Sequence, residues 1–354
     1  MSARDAIANI NINANANAKT NANEWHMPKF EPALCGMKDD RERLGLPNYF
    51  APLRFDDKLS GEFEKLRGNS VDQLLEIISS KDSLLEQRIV AGNLLAVIGD
   101  PRLSDLTHLM VDIPGATALI GLDEADIDKV LEKFAGLGLQ TKWIEKECPK
   151  HKVSIKPFKL AKYPVTNSQY KKFLLETQHP EIPSSWEFRR YPIERANHPV
   201  YTVSPDSADA YAKWLTSKTR IAYRLPTEPE WEWAASGPDR NEFPWGNTFN
   251  ANFANTAETG LFTSSPVGVF LGGESCFGIS DMAGNVEEYT AHNYYPYPNG
   301  RTVVDHLVEL NGQYRVARGG SFARFRDLAR TKRRHGHNPK SATYTMGFRL
   351  ACDH

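Results

Sequence analysis

Cysteine is scarce in this 354-residue chain: Cys35, Cys148, Cys276 and Cys352 lie far apart, with no C-x-x-C pair. That spacing excludes a zinc knuckle or a disulfide-stapled scaffold, so reduced structural thiols are expected. Excess charge of either sign is also missing. Forty-three basic and 44 acidic residues leave a formal charge of −1, which removes any general electrostatic argument for binding nucleic acid or an anionic membrane. No apolar run approaches the roughly 20 residues needed to span a bilayer, and the N-terminus lacks the basic-then-apolar layout of a secretory signal. A cytoplasmic protein without a membrane partner is the expectation. Residues 7–23 alternate Asn and Ala almost without large side chains. Such a stretch cannot bury enough apolar surface to offset its chain entropy, so residues 1–24 are expected to form a disordered tail.

Residues 25–66 mix aromatics and prolines irregularly and suggest an extended segment packed on a neighbour. Helical periodicity begins after Asn69. Val71, Leu74, Leu75 and Ile78 share one face, followed by Leu85, Ile89, Gly92, Leu95, Ala96 and Ile98. Ser70 or Asn69 can cap the first helix, and Gly99-Asp100-Pro101 stops the second. The stretch RIVAGNLLAVIGDPRL is similar to one helical hairpin of the HEAT-like repeats. A single unit cannot stack into a solenoid, so it is expected to act as a docking helix pair. Alternation typical of strands appears at Met110–Ala116 and again at Lys152–Leu160, around a polar, helix-compatible insert from Asp123 to Glu147. The expected organisation is a tail (1–24), an irregular segment with a helical hairpin (25–105) and a larger domain (106–354), with the boundary near Asp105.

Three helix-start devices punctuate the larger domain. Thr166 with Gln169 and Thr227 with Glu230 have capping-box spacing, and Ser204-Pro205 places proline at the favoured first position. After Trp231 the chain turns rich in Gly, Asn and aromatics, as suits a loop-heavy domain held by short strands. The ordered series YPVTNSQYKKFL (163–174), RLPTEPEWEWAA (224–235), FPWGN (243–247), SPVG (265–268), FGISDMAGNVEEYT (277–290), RGGSF (318–322) and GFRLA (347–351) resembles the formylglycine-generating enzyme (sulfatase-modifying factor) family. The resemblance implies an α+β, C-type-lectin-like fold with little regular secondary structure, preceded here by a small helical segment.

It further implies a structural calcium held by Asp281 and Glu288 together with the carbonyls of Gly284 and Val286. Hard cations take several oxygen ligands, and a Gly-containing turn flanked by carboxylates can supply them. A second family site maps near Asn255 and Thr256, where Thr259 replaces the usual acidic ligand. The family's oxidases carry two copper-binding cysteines shortly after the GGS motif, whereas this chain has no cysteine between Cys276 and Cys352. Neither copper binding nor conversion of cysteine to formylglycine is therefore expected. Glu287 is a second departure, standing where the family usually has tryptophan.

In place of the thiols stands a cationic segment: Arg324, Arg326, Arg330, Lys332, Arg333, Arg334, His335 and His337. Arginine forks suit carboxylates and phosphates. With Ser321 and Glu287, the arginines at 324, 326, 330, 333 and 334 form a candidate surface for a peptide, a protein or a small acidic ligand, aided by Tyr289, Tyr294, Tyr295 and Tyr297. The variable proteins of diversity-generating retroelements use the same scaffold for binding. Alternatively, His292, His335 and His337 could supply three nitrogens to ferrous iron for oxygen chemistry. The family's sulfoxide synthases of ergothioneine and ovothiol biosynthesis make this more than arbitrary, but their H-x-x-x-H-x-E helical-bundle motif is missing. A structural or regulatory subunit docking through the N-terminal helices is a third reading.

Overall fold

A computed structural model describes residues 52–338 and 345–354, together with 44, 46, 49 and 50. The expected tail (1–24) and most of the irregular segment lie outside the described residues. The helices of the N-terminal part are α1 (Asp56–Leu66), α2 (Val71–Ser79) and α3 (Leu85–Ile98). Ser70 caps α2 as expected: its side chain accepts from Gln73 N, and the Gln73 side chain accepts from Ser70 N. Gly99 ends α3 at a φ of 104°, which disfavours any residue with a Cβ.

The α2–α3 pair buries Leu74, Ile78, Ala91 and Leu95 between its helices. The other face of α3 is held by the larger domain. Arg88 Nε donates to Val269 O at 2.9 Å, and Asn197 Nδ2 donates to Gly92 O at 2.9 Å. His198 reaches Asn93 Oδ1 and Ser264 Oγ, both at 3.0 Å. A Cβ on Gly92 would lie 2.6 Å from the Pro266 ring, so the close approach requires glycine. The α2–α3 hairpin is thus a docked helix pair, with buried polar groups paired across the contact.

The larger domain continues with β1 (Met110–Ile113), β2 (Ala116–Ile120), α4 (Ile127–Lys133), α5 (Thr141–Glu145), β3 (His151–Ile155), β4 (Phe158–Ala161), α6 (Asn167–Thr177), α7 (Pro205–Thr219), β5 (Tyr223–Arg224) and α8 (Glu228–Ser236). A long loop-rich stretch leads to β6 (Glu287–Asn293), α9 (His306–Asn311), β7 (Arg315–Arg318), β8 (Met346–Phe348) and β9 (Ala351–Asp353). The described residues form three small sheets: β1-β4-β9-β5, β2-β3 and β7-β6-β8. The final strand pairs with β4 and β5, which closes the domain from its C-terminus.

The helix starts follow the sequence. Thr227 accepts from Glu230 N while Glu230 accepts from Thr227 N. Ser204 caps α7 with Pro205 in the first turn, and Gln169 accepts from Thr166 N at 3.0 Å. The apolar faces of α6 and α7 meet through Tyr170, Phe173, Tyr211 and Trp214, in one aromatic core with Phe348.

Candidate functional site

The turn before β6 is built from residues that prefer compact, left-handed backbone. Asp281, Gly284 and Asn285 all have positive φ, and a Cβ on Gly284 would lie 2.3 Å from Asn255 O. The Asp281 carboxylate accepts from Gly268 N at 2.7 Å, and burial pushes its pKa up to about 6. The Glu288 carboxylate points elsewhere. It takes two hydrogen bonds from Arg349, at 2.6 and 2.5 Å, and one from Trp231 Nε1 at 2.8 Å.

Glu288 and Arg349 therefore form a bidentate pair in the core, with Val286 buried beside them. Of the residues expected to hold calcium, Asp281, Gly284, Val286 and Glu288, the two carboxylates thus hold different partners in the absence of a cation. No group of three or more His, Cys, Asp or Glu side chains among the described residues is placed to hold a metal ion.

The cationic segment after Ser321 is corrected, because most of it is interior. Ser321 is fully buried and accepts from the Thr345 hydroxyl at 2.7 Å. Arg330 is fully buried between Glu147, at 3.0 Å, and Glu242. Arg333 donates to Trp143 O, and Arg326 pairs with Glu258 at 3.3 Å. Arg334 grips both oxygens of Glu228, at 2.7 and 2.9 Å, while Arg318 from β7 donates to the same Glu228 and to Glu232. Burial alone would raise the Glu228 pKa, but Arg334 and Arg318 hold it down to about 2. Burying this many guanidinium groups is tolerable only because each meets a carboxylate or carbonyl. The arginines thus staple the long loops to α8 and to the end of α5, and only Arg324 and Arg326 are partly exposed.

Above the Glu228–Arg334 pair lies an open groove of about 390 Å³, walled by His151, His292, Tyr295, Tyr297 and the prolines at 229, 296 and 298. Tyr297 is buried, with the Arg334 guanidinium 4.0 Å from its ring centre and His151 packed 4.4 Å away. Tyr295 is 62% exposed and offers a free ring face. Of the other tyrosines singled out from sequence, Tyr289 sits in the core and Tyr294 stacks on Tyr314. Glu228 and His151 were missed as groove residues. Glu228 reads as part of a capping box and His151 as part of a strand, and each reaches the groove only through contacts distant in sequence.

The three candidate iron ligands form no common three-ligand group. His292 lies at the exposed end of β6, whereas His335 is held next to β7 by two backbone hydrogen bonds with Ala317, at 2.8 and 3.1 Å. His335 Nδ1 instead meets the Glu287 carboxylate at 2.6 Å. His337 lies nearby, its pKa lowered to about 4 chiefly by burial. The two departures from the family pattern, Glu287 and the residues replacing the thiols, thus meet in space.

Residues 102–354 match the sulfatase-modifying factor enzyme 1-like domain, and the chain belongs to that family. It is 30% identical to the inactive C-alpha-formylglycine-generating enzyme 2 of Mus musculus over 73% of this chain and 91% of that protein. Hercynine oxygenase of Mycolicibacterium thermoresistibile is 28% identical, over 78% of this chain and 68% of its own length. The structure of PvdO from Pseudomonas aeruginosa superposes with a TM-score of 0.52 at 26% identity, covering 69% of this chain and 94% of PvdO.

Proposed function

We propose that this chain is a ligand-binding member of its family without cysteine-to-formylglycine activity, and that its ligand is a small compound whose aromatic ring lies in the groove over Glu228 and Arg334. The groove itself is the observation that carries this. Its volume falls within the few hundred Å³ usual for small-molecule sites, and its walls combine aromatic and proline surfaces with a few fixed polar groups. Arg334 is the one arginine of the cationic segment that lines it, and Glu228 balances its charge. Ring stacking rather than ionic attraction is therefore the main source of affinity.

Phenol and N-acetyltyrosinamide serve as probes in NMR titrations of the full chain. Tyr295→Ala should weaken their binding by about tenfold, in line with an aromatic contact of about 1.5 kcal/mol. Equal affinity in the variant, or no binding to wild type, would sink the proposal.

The oxygenase reading draws on the resemblance to hercynine oxygenase, while His292, His335 and His337 form no three-ligand group. Stoichiometric iron after anaerobic loading, lost in His337→Ala, would favour that reading over simple binding.

A further inference from the structure

We infer, resting on the ring-binding reading of the groove, that His151 decides which rings it admits: His151 Nε2 accepts a hydrogen bond from an O–H or N–H group on a neutral aromatic ligand, of which a phenol is the simplest. His151 opens β3 and is paired with Ile120 of β2, so its backbone is fixed at the groove wall. Its ring centre lies 4.4 Å from that of Tyr297, which in turn carries the Arg334 guanidinium. Nδ1 lies 3.1 Å from Pro149 O. A carbonyl can only accept a hydrogen bond, so the proton sits on Nδ1 and the neutral imidazole carries its lone pair on Nε2. That nitrogen makes no hydrogen bond with any described residue. A ring held by strand pairing, ring packing and one hydrogen bond offers its acceptor without first having to be ordered by the ligand.

Elsewhere the groove is short of spare donors. Its prolines at 229, 296 and 298 have no N–H, and the Ala291 N–H is committed to Pro226 O at 2.8 Å. The Tyr297 hydroxyl donates to Glu228 and accepts from Arg318. Arg334 donates to Glu228, Lys146 O and Tyr295 O. Glu228 itself is 3% exposed and already accepts from Arg318, Arg334 and Tyr297. Because Arg318 and Arg334 face Glu228 and Glu232, the charges beneath the groove cancel, which suits a neutral ligand better than an ion. A ring that only accepts hydrogen bonds thus finds few partners, whereas one that donates meets His151.

Phenol and anisole present the same ring, and only phenol carries an O–H. Anisole is the more apolar of the two, so ring burial alone would favour it. In NMR titrations of the full chain at about pH 8, above the ordinary imidazole range, wild type should bind phenol about fivefold more tightly than anisole, as one hydrogen bond allows. The nitrogen NMR signal of His151 Nε2 should move with phenol and stay in place with anisole. In His151→Phe, which keeps a ring against Tyr297, the ratio of the two affinities should fall to about one. Equal affinities in wild type, or an Nε2 signal that ignores phenol, would overturn the inference and leave ring binding in the groove standing. A preference that survives in His151→Phe and vanishes in His292→Phe would overturn it as well, by assigning the acceptor to the other histidine of the wall. Binding of neither probe to wild type would remove both readings together.

Discussion

Arg349 shows how one residue can mark a motif and neutralise a buried charge at once. Its GFRLA motif marks the family, and its side chain takes the carboxylate of Glu288, a residue of the separate 277–290 motif. Arg349→Ala leaves Glu288 charged, buried and without its main partner, so unfolding in urea should show a loss of about 3–5 kcal/mol. Adding calcium should not restore it. His198 supplies a pH-dependent counterpart. Burial, aided by Arg195, lowers its pKa from the usual 6.5 to about 3. The unfolded chain therefore takes up the proton first. The associated stability is present at neutral pH and drains away as pH falls below about 6.5. Between pH 6.5 and 5 the loss from this residue should be about 2 kcal/mol, and a pH series of melts on His198→Gln should have a flatter acid limb than wild type.

At the scale of elements, helix starts were legible because capping is local: Ser70, Thr166, Ser204 and Thr227 each act within three residues of themselves. Strand β2 was not anticipated. Its Ala-Thr-Ala run is short, and its partner β3 begins more than 30 residues later. The docking of α3 was expected, but its partner surface depended on the loop carrying Pro266 and Val269. Gly92→Leu should force that loop away at a cost of about 1–3 kcal/mol. Hydrogen exchange should then quicken throughout α2 and α3. Unchanged protection would mean that the hairpin is held by something other than this contact.

For the whole molecule, the decisive feature is a post-GGS loop whose cations are turned inward. Glu147, Glu228, Glu242 and Glu258 come from four separate stretches of chain and each meets an arginine of residues 326–334. Loops with little regular structure are thereby tied to a common interior. With no thiol in the matching loop, a cysteine-containing sulfatase peptide incubated with the protein, copper and oxygen should yield no aldehyde detectable by hydroxylamine labelling and mass spectrometry. Aldehyde formation would overturn the reading of Arg324 and its neighbours as replacements for the catalytic pair.

By itself the sequence determined the family, the α+β class, the helix starts and the missing cysteine pair, because these depend on local spacing, residue identity and an ordered motif series. Only the tertiary structure decided where the charges point. A run of arginines looks the same whether water or glutamate faces it, and their carboxylate partners lie roughly 70 to 180 residues away. The same holds for Glu287 and His335, 48 residues apart. Their contact depends on the sheet that brings β6 and β7 together, which no local pattern encodes.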